Sequence, residues 1–329
     1  MANRRKRPTS ILALAHLALL AVLACSQSDL CLAQRGTQWH KAIAVSITEP
    51  VILDLHLLQS DLQIAYAHEG EVLISAQVQP NDAGDVTMDF LSDALAVAAD
   101  GNTIEIRQRD AEIVRKLNVS YRISVPYRTE VRSSLRSGKQ TITGVMGPIN
   151  AHADRGDIHI SYVAKAVLAQ TGIGNLSLEV IGERAKVAAG VGNISCARIA
   201  QGVNAETGDG DISLMVVGPS EAKVRQGAGR IDVGGVRGTL TASTDAGDLH
   251  VKAVPHDNWQ LSSVSSTIRI ELPLASRFDL DVMTDSGELV IGRDDLPKPS
   301  AGVLQFNQKA NGGGKRIEAR SKSGRIVVS

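Results

Sequence analysis

The sequence predicts an all-β protein, a single-domain, β-helix-like β-solenoid with repeats of about 18 residues and an irregular β-rich N-terminal part. Three observations predict it: a glycine recurs at near-constant spacing, apolar side chains alternate on both sides of it, and glycine is abundant at 30 residues. Alternation with a period of two is typical of a strand with one buried face. A unit this small cannot bury that face alone, whereas stacked units form one continuous apolar column.

The recurring glycine marks the corner between two strands of each repeat. In TGDGDISL (207–214) it is Gly210, and successive markers lie 18 to 21 residues apart. The markers predicted as structural corners are Gly156, Gly174, Gly192, Gly210, Gly229, Gly247, Gly287 and Gly324, with Ser266 in one repeat and Gly138 before the first. A tight corner needs a positive φ, which glycine adopts without steric cost. The Asp or Asn that often follows tolerates the same region and can bond its own backbone.

Residues 1–33 are predicted to be a signal peptide. Arg4, Arg5, Lys6 and Arg7 precede an apolar run from Ile11 to Ala24, which is too short to span a membrane. Two cleavage routes stay open: before Cys25, whose sulfur would then carry a lipid, or after Ala33. We therefore expect export to the periplasm, the outer membrane or the cell surface of a bacterium, with membrane contact only through a lipid anchor.

The rest of the chain falls into a part where the repeat is irregular and a part where it is regular. Residues 36–130 are expected to form the irregular β-rich part, with strands over 71–78, 103–107 and 117–125. Within it, alternating leucines before Ser60 and the pair Leu62 and Ile64 after it match the repeat, which indicates a first solenoid turn. Residues 131–329 are expected to be regular, except for the segment at about 293–315, which is expected to hold a mobile loop and a degraded turn with Gly302, Leu304 and Phe306.

Composition excludes several classes of function. Lysine plus arginine is 35 and aspartate plus glutamate is 35, so the chain lacks the net positive charge that a nucleic-acid partner requires. Aromatic content of 3% disfavours stacking platforms for bases or sugars. Cysteine usage implies no disulfide framework, because the mature chain keeps Cys196 alone or Cys196 with Cys31 besides a lipidated Cys25.

Motifs that suggest chemistry all fall on repeat positions. Asp209 and Asp211 resemble a calcium loop, but the position of Asp211 holds arginine in other repeats, which is incompatible with a column of cations. The S-x-x-K match of Ser220 and Lys223 is expected in an ordinary corner and strand, and Arg155-Gly156-Asp157 in a turn. His152 and His159 are expected to be exposed rather than metal-bound. We therefore predict no catalytic residue, no cofactor and no metal, and hence a protein that is not an enzyme.

One known family shares these features. A strand ending in Val125-Pro126 is followed by units of the form Ser/Thr-x-Gly-Asp-Ile-x-Val, and the chain closes on GGGKRIEARSKSGRIVVS. Over residues 50–329 this resembles the bacterial family named "putative adhesin", a domain of unknown function with a β-solenoid. The resemblance implies a non-catalytic scaffold of the cell envelope that binds an unknown envelope or extracellular partner. Two alternatives stay open: a polysaccharide-active β-helix enzyme and an envelope-stress accessory protein.

The C-terminal end suggests self-association. The chain stops at Ser329, directly after the inward pair Ile326 and Val328. An open strand edge there would template pairing with a second copy. We therefore expect a weak homodimer through residues 324–329, unless the segment 293–315 folds over the edge as a cap.

Overall fold

The computed structural model describes residues 31–33, 36–46, 48–67, 69–80, 95–108, 117–219 and 221–329. Every regular element in these ranges is a strand, and no helix among them is long and apolar enough to cross a bilayer. The lipidation candidate Cys25 and most of the predicted signal peptide lie outside the described residues.

The strands of the first part are β1 (Cys31–Ala33), β2 (Gly36–Ala44), β3 (Val51–Tyr66), β4 (Glu71–Pro80), β5 (Leu95–Asp100), β6 (Thr103–Gln108) and β7 (Leu117–Val125). Those of the repeats are β8 (Thr129–Ser137), β9 (Gln140–Thr143), β10 (Ile149–Arg155), β11 (Ile158–Val163), β12 (Val167–Ile173), β13 (Leu176–Ile181), β14 (Arg184–Val191), β15 (Ile194–Ile199), β16 (Gly202–Asp209), β17 (Ile212–Val217), β18 (Ala222–Ala228), β19 (Ile231–Gly234), β20 (Leu240–Ala246), β21 (Leu249–Lys252), β22 (Trp259–Ser263) and β23 (Ile268–Glu271). The last part contains β24 (Phe278–Thr284), β25 (Leu289–Ile291), β26 (Gln305–Ala310), β27 (Lys315–Ser321) and β28 (Ile326–Val328).

The predicted β-solenoid is confirmed. Each layer places one strand before the corner and one after it, and we call the sheets that these strands form the front sheet and the back sheet. From β8 to β23 every strand pairs in parallel with the equivalent strand of the next layer, as in Ala151 with Ala169 on the front sheet and Ile158 with Leu176 on the back sheet. The alternate residues of both sheets point inward and form one buried core.

The corner glycines are needed for space as well as for φ. A Cβ on Gly192 would lie 1.9 Å from the carbonyl oxygen of Gly174 one layer below, and the φ of Gly192 is 146°. At Gly287 and Gly324 the backbone is outside the positive-φ region that we predicted for every corner. Glycine is required at these two positions only by close approach, because each Cβ would lie 1.9–2.0 Å from an oxygen of the neighbouring layer.

The Asp and Asn residues after the corner bond the next layer rather than their own backbone, which corrects the expectation above. The Oδ1 atom of Asn175 accepts the backbone N–H of Asn193 at 3.0 Å, and Oδ1 of Asn193 accepts that of Asp211 at 2.8 Å. Asp157 begins this ladder and Asp211 ends it on the N–H of Arg230. These side chains therefore join consecutive layers at the corner.

A second corner, which the sequence analysis did not predict, lies six residues after the first. Gly144, Tyr162, Val180, Arg198 and Gly235 occupy this column with φ between 56° and 72°. Three of these are not glycine, and a branched residue such as Val180 adopts this conformation only at a cost. The spacing of the repeat therefore overrides local preference at this corner.

At the N-terminal end the chain does not stack in sequence order. The β3 strand spans both sheets, and pairs in parallel with β8 and β9 on one side and with β6 and β7 on the other. The layer predicted around Ser60 is therefore present, and β6 and β7 form a further layer outside it. Antiparallel strands extend this end, with β5 on β6, and β4, β2 and β1 following β7.

The C-terminal end repeats this arrangement, and the open edge predicted at residues 324–329 is wrong. The last strands enter between earlier layers: β27 lies between β22 and β24, and β28 between β23 and β25. Ser329 donates its N–H to Ile270 and accepts that of Leu272. The end of the chain is thus paired on both sides, and the premise of the predicted homodimer through this edge does not hold.

The segment expected to be a mobile loop contains a strand and a buried side chain. In place of a degraded parallel turn, β26 pairs antiparallel with β24 and buries Phe306. Arg293 has no exposed side-chain surface; it forms two hydrogen bonds to Asp295 and others to the carbonyls of Leu272 and Leu274. Its guanidinium also lies 5.2 Å from the ring centroid of Phe278. The front-sheet edge at β24 is therefore covered.

Candidate binding groove

A shallow groove of about 460 Å³ runs along the outer face of the front sheet, beside the first corner. It crosses the layers of β10, β12, β14, β16, β18 and β20, so that it extends over roughly 24 Å at about 4.8 Å per layer. The residues that line it come from the same three adjacent positions of successive repeats. The groove is thus a direct product of the 18-residue period.

The floor of the groove consists of stacked glycines. Gly172, Gly190, Gly208 and Gly227 follow one another in consecutive layers, and each Cβ would lie 2.4–2.6 Å from a carbonyl oxygen of the layer before. Their φ values are outside the positive region, so the requirement for glycine is the close approach of the layers. Since no side chain can be added here, the trough stays open along its length.

The next column supplies the side of the groove. In register order it holds His152, Gln170, Ala188, Glu206 and Arg225. At one end the Nε2 atom of His152 lies 3.2 Å from Asp154, and toward the other Arg225 lies 3.8 Å from Glu206.

The uncharged Gln170 and the small Ala188 lie between these polar ends. The groove therefore offers a narrow floor with charged groups at both ends, a geometry that accommodates an extended ligand.

The groove residues can bind a ligand, and the two threonine hydroxyls among them are already engaged. The hydroxyls of Thr171 and Thr207 donate to the carbonyls of Gly156 and Gly192, so both serve the corner. His152 contacts only the carboxylate of Asp154 through its ring, and no hydroxyl or thiol of the lining residues is bonded to it. Activation of a hydroxyl or thiol by a neighbouring histidine needs such a pair.

Residues 91–329 match the family model described as Toastrack DUF4097. The chain belongs to this family. The match covers well over half of the 329 residues and includes the repeats that form the groove. It confirms the resemblance to an adhesin-like domain of unknown function that the repeat motifs indicated. No curated protein matches the chain.

Three solved structures are similar to this Toastrack chain. One is a putative cell adhesion protein from Clostridium sporogenes, 10% identical, with 88% of this chain and 97% of that one covered and a TM-score of 0.23. A putative adhesin from Bacteroides fragilis is 11% identical, with 89% and 97% covered and a TM-score of 0.32. Another from Parabacteroides distasonis is 12% identical, with 89% and 98% covered and a TM-score of 0.32.

The Toastrack layers place the residues that the sequence singled out on different surfaces. His152 lines the groove, whereas His159 lies on the back sheet. Oδ1 of Asp211 accepts the N–H of Arg230 in the corner ladder. Cys196 is buried in the core, and this burial raises the pKa of its thiol to about 12, so it is unreactive near neutral pH. Ser220 lies outside the described residues.

The sequence analysis missed a group of three side chains that could bind a metal ion. Asp54 and His56 on β3 and Glu105 on β6 bring one ligand atom each within 4.8 Å of one another. The chain order of the layers hides this, because β6 pairs with β3 although the partners Asp54 and Glu105 are 51 positions apart in sequence. The guanidinium of Arg107 contacts Glu105, and Arg132 stands beside Asp54 in the register. We therefore describe this group as an ion cluster of the front sheet.

Proposed function

We propose that this Toastrack protein is an exported, non-catalytic, adhesin-like scaffold of the bacterial cell envelope, which binds its partner along the groove of the front sheet. The observation that carries the proposal is the glycine floor between the two charged ends. This surface is repeated, open and rich in exposed polar groups, as expected of a site that grips an extended molecule rather than one that encloses a small substrate.

Export is the part of the proposal that rests on the N-terminal sequence. The basic residues before the apolar run up to Ala24 support it. Lipidation at Cys25 would fix the protein to a membrane leaflet, whereas cleavage after Ala33 would release it and would also remove β1. The mass of the mature N-terminus distinguishes these forms, and a mature protein that still begins at Met1 in a cytoplasmic fraction would refute export.

Binding along the groove is tested by site-specific photo-crosslinking on intact cells of the host bacterium and its neighbours. A photoreactive residue at Ala188 places the probe in the groove. The same residue at Ser195, which lies on the back sheet of the same layer, is the matched control. We expect a discrete crosslinked product from position 188 and none from position 195. Equal products from both positions, or none from either, would contradict binding in the groove.

A further inference from the structure

The outer face of the back sheet carries a depression of about 380 Å³ at the N-terminal end of the solenoid. Four neighbouring strands, β4, β7, β3 and β9, form its base. At about 4.8 Å between strands, the depression extends over roughly 14 Å. Because β4 and β7 join the sheet outside the regular layers, this surface is not a product of the 18-residue period. We call it the polar depression.

Polar side chains line the depression in two rows that cross these strands. The outward side chains are Ser75, Arg122, Gln63 and Thr141 in one row, and Gln77, Ser120, Asp61 and Lys139 in the other. Hydroxyl and amide groups thus surround two cations and one carboxylate. The serines and the threonine are short, which leaves space above the sheet, whereas Arg122 and Lys139 are long enough to reach a molecule in that space.

The surrounding protein does not neutralise the two cations. Within the part of the chain that the structure describes, neither Arg122 nor Lys139 forms an ion pair, whereas Arg198 of the same sheet contacts Glu179. Asp61 is the one carboxylate among the lining residues, and its Oδ1 atom accepts the backbone N–H of Lys139 at 2.9 Å. Two cations against one carboxylate leave the depression with one net positive charge.

Arg122 is positioned to bind a planar anion. Its Nε atom donates to Oε1 of Gln63 at 3.2 Å, which holds the guanidinium above the sheet. The N–H groups of a guanidinium match the two oxygens of a carboxylate, and such charge-assisted bonds are the strong ones. Lys139 lies two strands away, at about 12 Å from Arg122 along the backbone grid. A molecule that lies between them can therefore contact both cations.

The size and the lining of the depression favour a ligand with hydroxyl groups as well as a charge. A phosphate or sulfate ion would engage the cations but would leave most of the space and the hydroxyls of Ser75, Ser120 and Thr141 unused. A sugar that carries a carboxylate uses both, because its hydroxyls exchange hydrogen bonds with the short polar side chains. Recognition of this kind needs no aromatic platform, which agrees with the aromatic content of 3%.

We propose that the polar depression binds one uronate unit of an acidic glycan, with the carboxylate on Arg122 and the hydroxyls between Ser120 and Lys139. This inference goes beyond the proposed function, because the depression lies on the back sheet and the groove on the front sheet. The two sites can therefore be tested separately.

The experiment titrates the purified full-length protein by calorimetry with trisaccharides of galacturonate, glucuronate and mannuronate, with neutral maltotriose and with sodium phosphate. We expect at least one uronate to bind, and maltotriose and phosphate to bind at least tenfold more weakly. Arg122→Met and Lys139→Met should each weaken uronate binding by about tenfold, because each removes a charge-assisted hydrogen bond. Arg269→Met is the matched control, since Arg269 is an exposed cation at the other end of the back sheet. It should bind as the unchanged protein does.

A second variant tests the space rather than the charge. Ser120→Tyr keeps both cations but fills the depression, and tyrosine suits an outward strand position. It should abolish binding. Ser195→Tyr makes the same change at an exposed serine of the same sheet, outside the depression, and should leave binding unchanged. Thermal unfolding checks that every variant folds.

Four outcomes would overturn the inference. They are no binding of any uronate at millimolar concentration, normal binding by Ser120→Tyr, an equal loss in Arg269→Met and Arg122→Met, and phosphate binding as tight as that of the best uronate. The last would reveal a general anion patch. Crosslinking from Ala188 reports on the groove alone, so failure of the depression is distinguishable from failure of the proposed function.

Discussion

The middle of the solenoid and its two ends are stabilised in different ways. From β10 to β17 each layer copies the last, and cohesion comes from repeated small devices: alternating apolar residues, close-packed glycines and the Asn ladder. At the ends, single side chains fill unique positions. Gln108 bonds the backbone of Leu58 and the hydroxyl of Ser60 at one end, and Arg293 is buried at the other.

The difference shows what limits a repeat protein. A middle layer pairs with a neighbouring layer on both sides. An end layer has a neighbour on one side only, so the unpaired backbone groups and apolar side chains of its outer side must be covered in another way. Both ends use the same arrangement. At the N-terminal end β3 lies one layer inside, and β6 and β7, which come later in the chain, cover it. At the C-terminal end β27 and β28 lie one layer inside, and the earlier strands β24 and β25 cover them. We expect substitutions at the unique end positions to be more costly than those in the middle.

The largest effect is expected at Arg293. Arg293→Met removes the hydrogen bonds of a buried guanidinium to Asp295 and to three backbone carbonyls, and it leaves the carbonyl of Leu272 without its donor. It should lower the free energy of unfolding by about 3–5 kcal/mol. Urea unfolding of this variant beside Arg325→Met, whose side chain is 51% exposed and should matter little, provides the measurement. A loss below about 1 kcal/mol would show that the C-terminal end does not depend on this side chain.

The second largest effect is expected at a corner in the middle of the solenoid. Gly192→Ala combines a positive φ with a Cβ only 1.9 Å from a backbone oxygen, so the layers must separate locally, and we expect a loss of about 2–3 kcal/mol. Gly101→Ala shares the positive φ, at 56°, but has nothing within 4 Å, and should cost about 1 kcal/mol. Chemical denaturation of both variants isolates the contribution of stacking. Equal losses would mean that backbone conformation alone requires the corner glycines.

The third prediction concerns acid at the C-terminal end. The hydrogen bond from Arg320 holds the pKa of the Asp281 carboxyl below its usual value against the opposing effect of burial, and Arg316 adds to it. Because the folded pKa is the lower one, this stabilisation is complete above the unfolded value of about 3.9 and is lost as pH falls through the folded pKa. Asp281→Asn should therefore cost about 1–2 kcal/mol at pH 7.

Urea unfolding at pH 7 and pH 3 of both proteins checks the sign of this dependence. The gap between Asp281→Asn and the unchanged protein should narrow at the lower pH. A gap that stays constant would show that the charge of Asp281 contributes nothing to the C-terminal layers.

The smallest effect is expected from one rung of the ladder. Asn193→Ala removes the acceptor for the N–H of Asp211 and should cost about 1 kcal/mol. Arg230 lies in the same column, but the arginine side chain offers no acceptor to the next layer. Arg230→Ala should therefore leave the free energy of unfolding almost unchanged. Hydrogen exchange at Asp211 in the first variant reports the loss directly. Unchanged protection there would show that the corner holds without the rung.

One feature of the fold was present in the sequence but not recognised. The repeat places Tyr66, Gly144 and Tyr162 six residues after Ser60, Gly138 and Gly156, so the second corner follows from extending the alignment beyond the apolar positions. The groove was less accessible to prediction, because its glycine floor depends on how closely the layers approach.

The sequence by itself determined the all-β class, the 18-residue period, the inward faces of the strands and the corner at Gly192 and its equivalents, because these depend on neighbours close in the chain or one repeat away. Only the tertiary structure decided the order of the layers at both ends and the burial of Arg293. Parallel pairing offers the same backbone bonds to any layer with the matching period. Which layer lies beside β28 or β3 is therefore settled by the fit of non-local side chains, and the repeat pattern carries no record of it.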